Sequence, residues 1–295
     1  MIFIDGDVLL YRAGFSAELP MWGVVDSDGE CYIWADSKEL ALKHVQPGER
    51  VERMAEPLPF SRAVLHLKND ISEIVKNCCK FLDTPEVGVV IFLSHPDRGK
   101  NDRFKVAVTH PYKGNRKKMA QPIHKEAIQN YMLEMDNVTV VEGIEADDAL
   151  GTSLVENPGS ICASIDKDLL MVPGIHYNFK AKDFTEASDP GGLELVQRTY
   201  GKHLKGHGFM WFCAQMLMGD SVDNIVGLRG YGPVRAHKLL SETTPTIKAL
   251  WNMVVNMYAI AGEDESRVQE NADLLWIRRE RGQTFREWMG VHSNG

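Results

Sequence analysis

Four acidic clusters punctuate the chain, and each stands at the end of an apolar run or on a helix face. They are Asp5-Gly6-Asp7, Glu145-Ala146-Asp147-Asp148, Asp166-Lys167-Asp168 and Asp220-Ser221-Val222-Asp223. In an open α/β sheet the carboxyl ends of parallel strands share one crevice, so acids placed there are brought together by the fold itself. Converging carboxylates repel one another and lose hydration. Cations between them relieve both costs, and an all-oxygen ligand set suits Mg²⁺ or Mn²⁺. The pattern predicts a multi-carboxylate, two-metal site of the kind that cleaves phosphodiesters.

The segments between the clusters support such a sheet. Residues 1–4 read as a short buried strand and residues 87–93 as a continuous apolar strand of the parallel kind. Further strands are expected at 138–141 and 160–165, with helices over 8–17, 37–45, 61–82, 123–135 and 145–155. Residues 22–34 alternate around Asp26-Ser27-Asp28-Gly29, a hairpin signal, whereas residues 46–59 carry three prolines and read as loop. The character becomes helical after about residue 200, with helices expected over 209–218, 234–240, 246–261 and 266–279. The expectation is an α/β fold, a mostly parallel central sheet flanked by helices, followed by a helical part. The division is placed at 1–205 and 206–295, with a basic loop at about 94–122.

Each cluster also has a plainer reading. Asp5 and Asp7 could be solvated loop acids; Glu145, Asp147 and Asp148 could serve a helix N-terminus, where acids complement the macrodipole. Asp166 and Asp168 could belong to a turn partly neutralised by Lys167, and Asp220 and Asp223 to an Asx turn at a helix end. All four plain readings must hold together for the metal site to be absent. Gly227-Leu228-Arg229-Gly230-Tyr231-Gly232-Pro233 is either an ordinary helix–helix turn or a hairpin whose free N–H groups meet phosphate, with Arg229, Arg235 and Lys238 beside it.

The formal net charge of −8 argues weakly against nucleic acid, but charge is unevenly spread. Arg98, Lys100, Arg103, Lys105, Lys113, Arg116, Lys117 and Lys118 face only Asp102 in their stretch. That stretch is either a solvated loop or a strand clamp, with Lys113 and Arg116 on the scissile phosphate and Tyr112 stacking on a base. Five cysteines, including adjacent Cys78 and Cys79, form neither a disulfide framework nor a C-x-x-C pattern, so a reducing cytoplasm is the simplest setting. No apolar run is long enough to span a bilayer, and the N-terminus turns acidic too soon for a secretory peptide.

In this order, the motifs resemble the 5′ nuclease (flap endonuclease) family, most closely the stand-alone 5′→3′ exonucleases of tailed bacteriophages. The resemblance is carried by Ile4-Asp5-Gly6 with Arg12, Tyr112-Lys113-Gly114-Asn115-Arg116, Glu145-Ala146-Asp147-Asp148 and Ser164-Ile165-Asp166-Lys167-Asp168. It continues through Met218-Gly219-Asp220-Ser221-Val222-Asp223-Asn224-Ile225 and residues 227–240. It implies a nuclease core followed by a helix-hairpin-helix-type duplex grip over about 222–240, using Gly230, Gly232, Arg235 and Lys238, with a K⁺-type ion at the 227–232 hairpin. It implies two Mg²⁺ ions, for which Mn²⁺ can substitute. Asp5, Glu145, Asp147 and Asp148 would serve the first, Asp220 and Asp223 the second, and Asp166 and Asp168 would lie between them. Lys113 and Arg116 would polarise the phosphate, while Arg12, Tyr112, Lys117 and Lys118 would hold nucleic acid. The implied activity is 5′→3′ exonuclease and flap endonuclease action in phage replication and recombination, including RNA primer removal. The implied partners are double-stranded DNA with a 5′ end, nick or flap, and RNA/DNA primer junctions; the implied protein is a monomer of the host-cell cytoplasm, without membrane association.

Three features depart from the family pattern. Ser94 stands where an aspartate usually follows the second core strand, so either Asp97 substitutes or the site has one carboxylate fewer. Residues 18–60 have no counterpart in compact members, and the basic stretch is short for a long arch. Two rival readings remain at the level of sequence. A haloacid-dehalogenase-like phosphatase would use Asp5 as nucleophile and requires residues 216–218 to end a strand. A non-catalytic nucleic-acid-binding protein would share the fold and not the chemistry.

Overall fold

The computed structural model describes residues 1–97, 100–118, 120–199 and 201–292, with only the backbone of Lys117 and Lys118. The chain forms two compact units. One comprises Met1–Asp7, Ile74–Lys118 and Asn137–Gly295; the other comprises Val8–Glu73 and Met119–Asp136. The sheet and the helices that follow it belong to the same unit, so residue 205 marks a change of sequence character and not the boundary between these units.

The first unit is built on six strands: β1 (Ile2–Asp5), β2 (Val89–Ser94), β3 (Val138–Val141), β4 (Ile161–Ala163), β5 (Gly174–Asn178) and β6 (Asp183–Ala187). Their order is β3-β2-β1-β4-β5-β6. The first five run parallel and β6 closes one edge antiparallel to β5. Ile4 pairs with Ile91 on one side and Ala163 on the other, and all three are fully buried, which is why these runs are apolar without alternation. The order reverses between β1 and β4, opening a crevice at their carboxyl ends. The turn out of β1 is tight: a Cβ on Gly6 would stand 2.5 Å from the Phe92 carbonyl oxygen.

Strands β5 and β6 and the hairpin Gly192–Arg198/Gly201–His207 go beyond the sequence expectation. β6 reads Asp-Phe-Thr-Glu-Ala and lies at an edge, where one side needs no apolar cover and the hydrophobic signal is correspondingly weak.

Beyond the hairpin come helices Gly208–Met218, Pro233–Glu242, Ile247–Ile260, Glu265–Leu275 and Phe285–His292. The first is apolar at every position but Gln215 because Gly208 to Leu217 are all buried, as at the centre of a helical layer. Its Phe212 packs against Trp276 at 5.1 Å and Phe285 at 5.0 Å between ring centroids, and Trp288 packs against Trp276 at 4.6 Å, in one core that extends from Phe3 and Phe92 of the sheet. Among the described residues no helix is long and apolar enough to cross a membrane.

In the second unit, Glu18–Val25 lies between Cys31–Ala35 and Arg50–Pro57 in an antiparallel sheet. The hairpin turn is held by Asp26 Oδ1, which accepts from the Asp28 and Glu30 N–H groups at 2.9 Å. Residues 46–59, expected as loop, contain a strand instead. Arg50–Pro57 pairs on one side only, so its proline is tolerated at the end of an edge strand.

His176 on β5 is buried, and its Nε2 donates to the Val172 carbonyl at 2.8 Å. Burial pulls its pKa down to about 4. The folded state therefore keeps this ring neutral while the unfolded chain protonates it near pH 6.5, so its contribution to stability is lost as pH falls from about 6.5 towards 4. The expected loss from this group is about 2 kcal/mol between pH 7 and pH 5. Urea unfolding at both pH values should show a smaller pH dependence in His176→Gln; an equal dependence would remove His176 as the source.

Candidate active site

At the crevice, Asp5 leaves β1 with its carboxylate 2 % exposed, and Ser164, just past β4, donates its hydroxyl to Asp5 Oδ2 at 2.6 Å. The same Ser164 Oγ accepts from the Asp166 N–H at 2.9 Å, and Asp166 Oδ1 accepts from the Asp168 N–H at 2.9 Å. Ser164 thus links the ends of β1 and β4 and folds the Asp166–Asp168 turn back on itself. Across β1, Asp7 Oδ1 accepts from the Ser94 N–H at 3.0 Å, while Ser94 Oγ accepts from the Ala146 N–H at 3.0 Å. Ser94, standing where an aspartate was expected, satisfies the first turn of the Ala146–Glu156 helix; Asp97 is exposed.

The carboxylates separate into two electrostatic groups. In the first, Asp147 is driven well above the usual carboxylate range by burial and by Asp5, Asp166 and Glu145. Asp166 is raised by burial and by Asp223 and Asp220, and Asp168 reaches about 7 through burial and the neighbouring Asp166. Asp7 is raised by burial against its hydrogen bonds from Ser94. Burial is the largest cause for all four, and neighbouring carboxylates add to it.

In the second group cations prevail. Burial alone would raise Glu145, but Arg103 and Lys113 bring it down to about 2. Arg103 Nη1 reaches Glu145 at 2.5 Å, and its Nη2 reaches both Asp148 Oδ1 and the Trp276 carbonyl at 2.8 Å. Lys113 Nζ lies 2.5 Å from Glu145 and 3.8 Å from Asp223, and Arg116 pairs with Asp223. Tyr112 OH lies 3.0 Å from both Glu145 Oε2 and Asp223 Oδ2. The Asp220–Asp223 turn is fixed by the Asp220 carboxylate, which accepts from the Val222 N–H at 2.7 Å. It is also fixed by a close backbone crossing, where a Cβ on Gly219 would lie 2.4 Å from the Gly227 nitrogen.

Several of the expected site residues make other contacts. Tyr112 is 3 % exposed and packs edge-on to Phe104 at 5.4 Å, so it has no free face for a base. Asp148 is buried against Arg103 and accepts the Arg278 N–H at 3.0 Å, which makes it a structural anchor. Arg12, expected on a phosphate, is bound to Asp70 at 2.9 Å. Arg235 stacks on Tyr231, 3.8 Å from the ring centroid, while Lys238 and Gly232 are exposed at the Pro233–Glu242 helix, and Gly230 turns with φ +82°. The side chains of Lys117 and Lys118 lie outside the described residues. Residues 216–218 end a helix, so the phosphatase reading loses the strand it requires. Two site residues carry no individual mark in the sequence. Arg103 was one of eight cations in a basic stretch, and Gln215, which donates to Asp168 Oδ1 at 2.5 Å, is signalled only as the lone polar residue of an apolar run.

Among the described residues no three carboxylate, histidine or cysteine side chains stand about one point as a metal-holding group. The fit to a divalent ion rests on donor chemistry. Asp5, Asp147, Asp166 and Asp168 offer oxygen donors only, and their raised or mutually raising charges are those a hard cation would relieve.

The chain is similar to solved structures of a bacteriophage T5 nuclease, among them these three. A bacteriophage T5 flap endonuclease, solved as a pseudo-enzyme–product complex with DNA and metal ions, is 13% identical with a TM-score of 0.50, covering 92% of this chain and 86% of that one. The T5 protein co-crystallised with metal ions is 13% identical at a TM-score of 0.47, with coverages of 93% and 85%. T5 5′-exonuclease with bound zinc is 14% identical at 0.45, with coverages of 94% and 98%. No protein-family model matches the chain, and no curated protein matches it in sequence. The first likeness shows that the chain has the fold of the flap endonuclease, as the order of its motifs implies.

Proposed function

We propose that the protein is a divalent-metal-dependent 5′ nuclease that hydrolyses phosphodiesters in DNA. The observation that carries this reading is the crowding of under-compensated carboxylates from separate stretches of chain at one sheet crevice, beside Lys113 and Arg116. The similar T5 structure holding DNA and metal ions supports it. Asp5, Asp147, Asp166 and Asp168 would hold the first metal and the bridge to a second. Asp220 and Asp223 would join the second, and Glu145 would approach when substrate phosphate draws Lys113 away. Bound there, two divalent ions supply a Lewis-acidic environment for attack on phosphorus and for the leaving 3′ oxygen. Lys113 and Arg116 then neutralise phosphate charge in place of the carboxylates they now engage. The exposed Lys238 and the Gly230–Gly232 turn would face duplex phosphates, with a monovalent cation at the 227–232 hairpin. The substrates would be DNA with a 5′ end, nick or flap and RNA-primed junctions, cut by a monomer in phage replication and recombination.

Blunt, nicked, gapped and flapped duplexes, labelled at the 5′ end, should release short 5′-phosphorylated products in Mg²⁺ or Mn²⁺ and none in EDTA. Tight binding without cleavage in either metal would leave the non-catalytic reading standing. Lys113→Ala should slow single-turnover cleavage by about 10²-fold, on the scale of other charge-stabilising donors, with a much smaller change in DNA Kd. Equal losses in rate and binding would assign Lys113 to ground-state binding alone.

A further inference from the structure

Gln215 is the one polar side chain in the Gly208–Met218 helix and is 2 % exposed. A buried amide costs free energy unless it is hydrogen-bonded, so an apolar residue would serve packing alone better. Its Nε2 donates to Asp168 Oδ1 at 2.5 Å, and its Oε1 is buried without a hydrogen-bond partner. The orientation follows from chemistry, since a carboxylate accepts and only the NH₂ side can face it. One turn earlier on the same helix face, the Trp211 ring lies 5.0 Å from Lys167 Nζ, and that ammonium lies 3.4 Å from the same Asp168 Oδ1. Trp211, through Lys167, and Gln215 therefore hold the Asp166–Asp168 turn at two points, and the Lys167 ammonium and the Gln215 amide fall on a single oxygen of Asp168. The same helix leads directly into Gly219 and Asp220, so one rigid element sets the positions of two acidic clusters.

We propose that Gln215 is a positioning residue for the metal site: by holding Oδ1 it turns Asp168 Oδ2 towards a divalent ion. This rests on the nuclease reading above. Outer-shell partners of ligating carboxylates typically change metal affinity by about 10- to 100-fold when removed. The test is titration of Mn²⁺ into the full chain, with free Mn²⁺ followed by electron paramagnetic resonance, for the parent protein, Gln215→Met and Gln215→Asn. Methionine keeps the volume and loses the donor; asparagine keeps the amide and loses the reach. Both should weaken Mn²⁺ binding about 10-fold or more, and both should recover cleavage at saturating Mn²⁺. Asparagine provides the measurement if methionine does not fold. Parent-like Mn²⁺ affinity in a folded variant would overturn the proposal and reduce Gln215 to core filling. A parent protein that neither binds Mn²⁺ nor cleaves DNA would overturn the nuclease reading itself, and this proposal with it.

Discussion

Replacing Asp168 with asparagine should abolish divalent-dependent cleavage and yet make the metal-free protein more stable at pH 8, by about 4 kcal/mol. The two effects share one cause. Burial and the neighbouring Asp166 raise the Asp168 carboxyl to about 7, from an ordinary value of 3.8. A folded-state pKa above the unfolded value means that stability from this group is fully present below about pH 4 and is lost as pH rises through 7. At pH 8 the metal-free fold therefore carries an ionised carboxylate at a net cost. Asparagine keeps an oxygen to accept the Gln215 N–H and removes that charge. Divalent ions should stabilise the parent protein by linkage and leave Asp168→Asn nearly unaffected. Thermal unfolding at pH 8, with EDTA and with Mg²⁺, measures both arms. If the variant is less stable than the parent without metal, the carboxylates do not crowd as described. If it cleaves at the parental rate, Asp168 is not part of the site.

Arg103→Ala should have the opposite character, losing stability heavily at neutral pH. Arg103 is buried and satisfies Glu145, Asp148 and the Trp276 carbonyl together. Removing one partner of a buried ion pair leaves uncompensated charge, at about 3–5 kcal/mol; here Asp148 loses its cation, while Glu145 keeps Lys113. For a chain of this size a loss of that order corresponds to roughly 10 °C in Tm. The pH dependence should change too. Glu145 is depressed to about 2 in the folded parent, so its stabilisation is present above the unfolded value of 4.5 and is lost as pH falls towards 2. Arg103→Ala should flatten that acid limb, because much of the depression goes with the guanidinium. Urea unfolding across pH 3 to 7 would show it; an unchanged acid limb, or a loss below about 1 kcal/mol, would mean that other groups carry Glu145 and Asp148.

The first of these variants concerns a residue that the sequence singled out, and the second concerns one that it did not. Asp166 and Asp168 follow an apolar strand at a spacing that announces a special turn, and Asp5 and Asp7 stand where the first strand must end. Those signals are local, since each joins a buried run to the acids just beyond it. Arg103 carries no such mark. Its importance arises because the first turn of the Ala146–Glu156 helix and the loop after the Glu265–Leu275 helix meet around it, and sequence distance conceals that meeting.

The order of strands along the chain was enough to predict a parallel sheet, because buried strands and their carboxyl-terminal turns are encoded within a few residues. The pairing of the acids was decided only in three dimensions. Glu145, Asp147 and Asp148 occupy one helical turn and look alike in sequence. In the folded chain Arg103 claims Glu145 and Asp148, whereas Asp147 is buried and raised further by the charges of Asp5 and Asp166. Likewise Tyr112 reads as an aromatic in a basic loop, but packing buries it against Phe104 and commits its hydroxyl to Glu145 and Asp223. Whether a carboxylate is neutralised by a protein cation or left for a metal depends on which side chain reaches it first through space. That is a property of tertiary packing, and no local spacing encodes it.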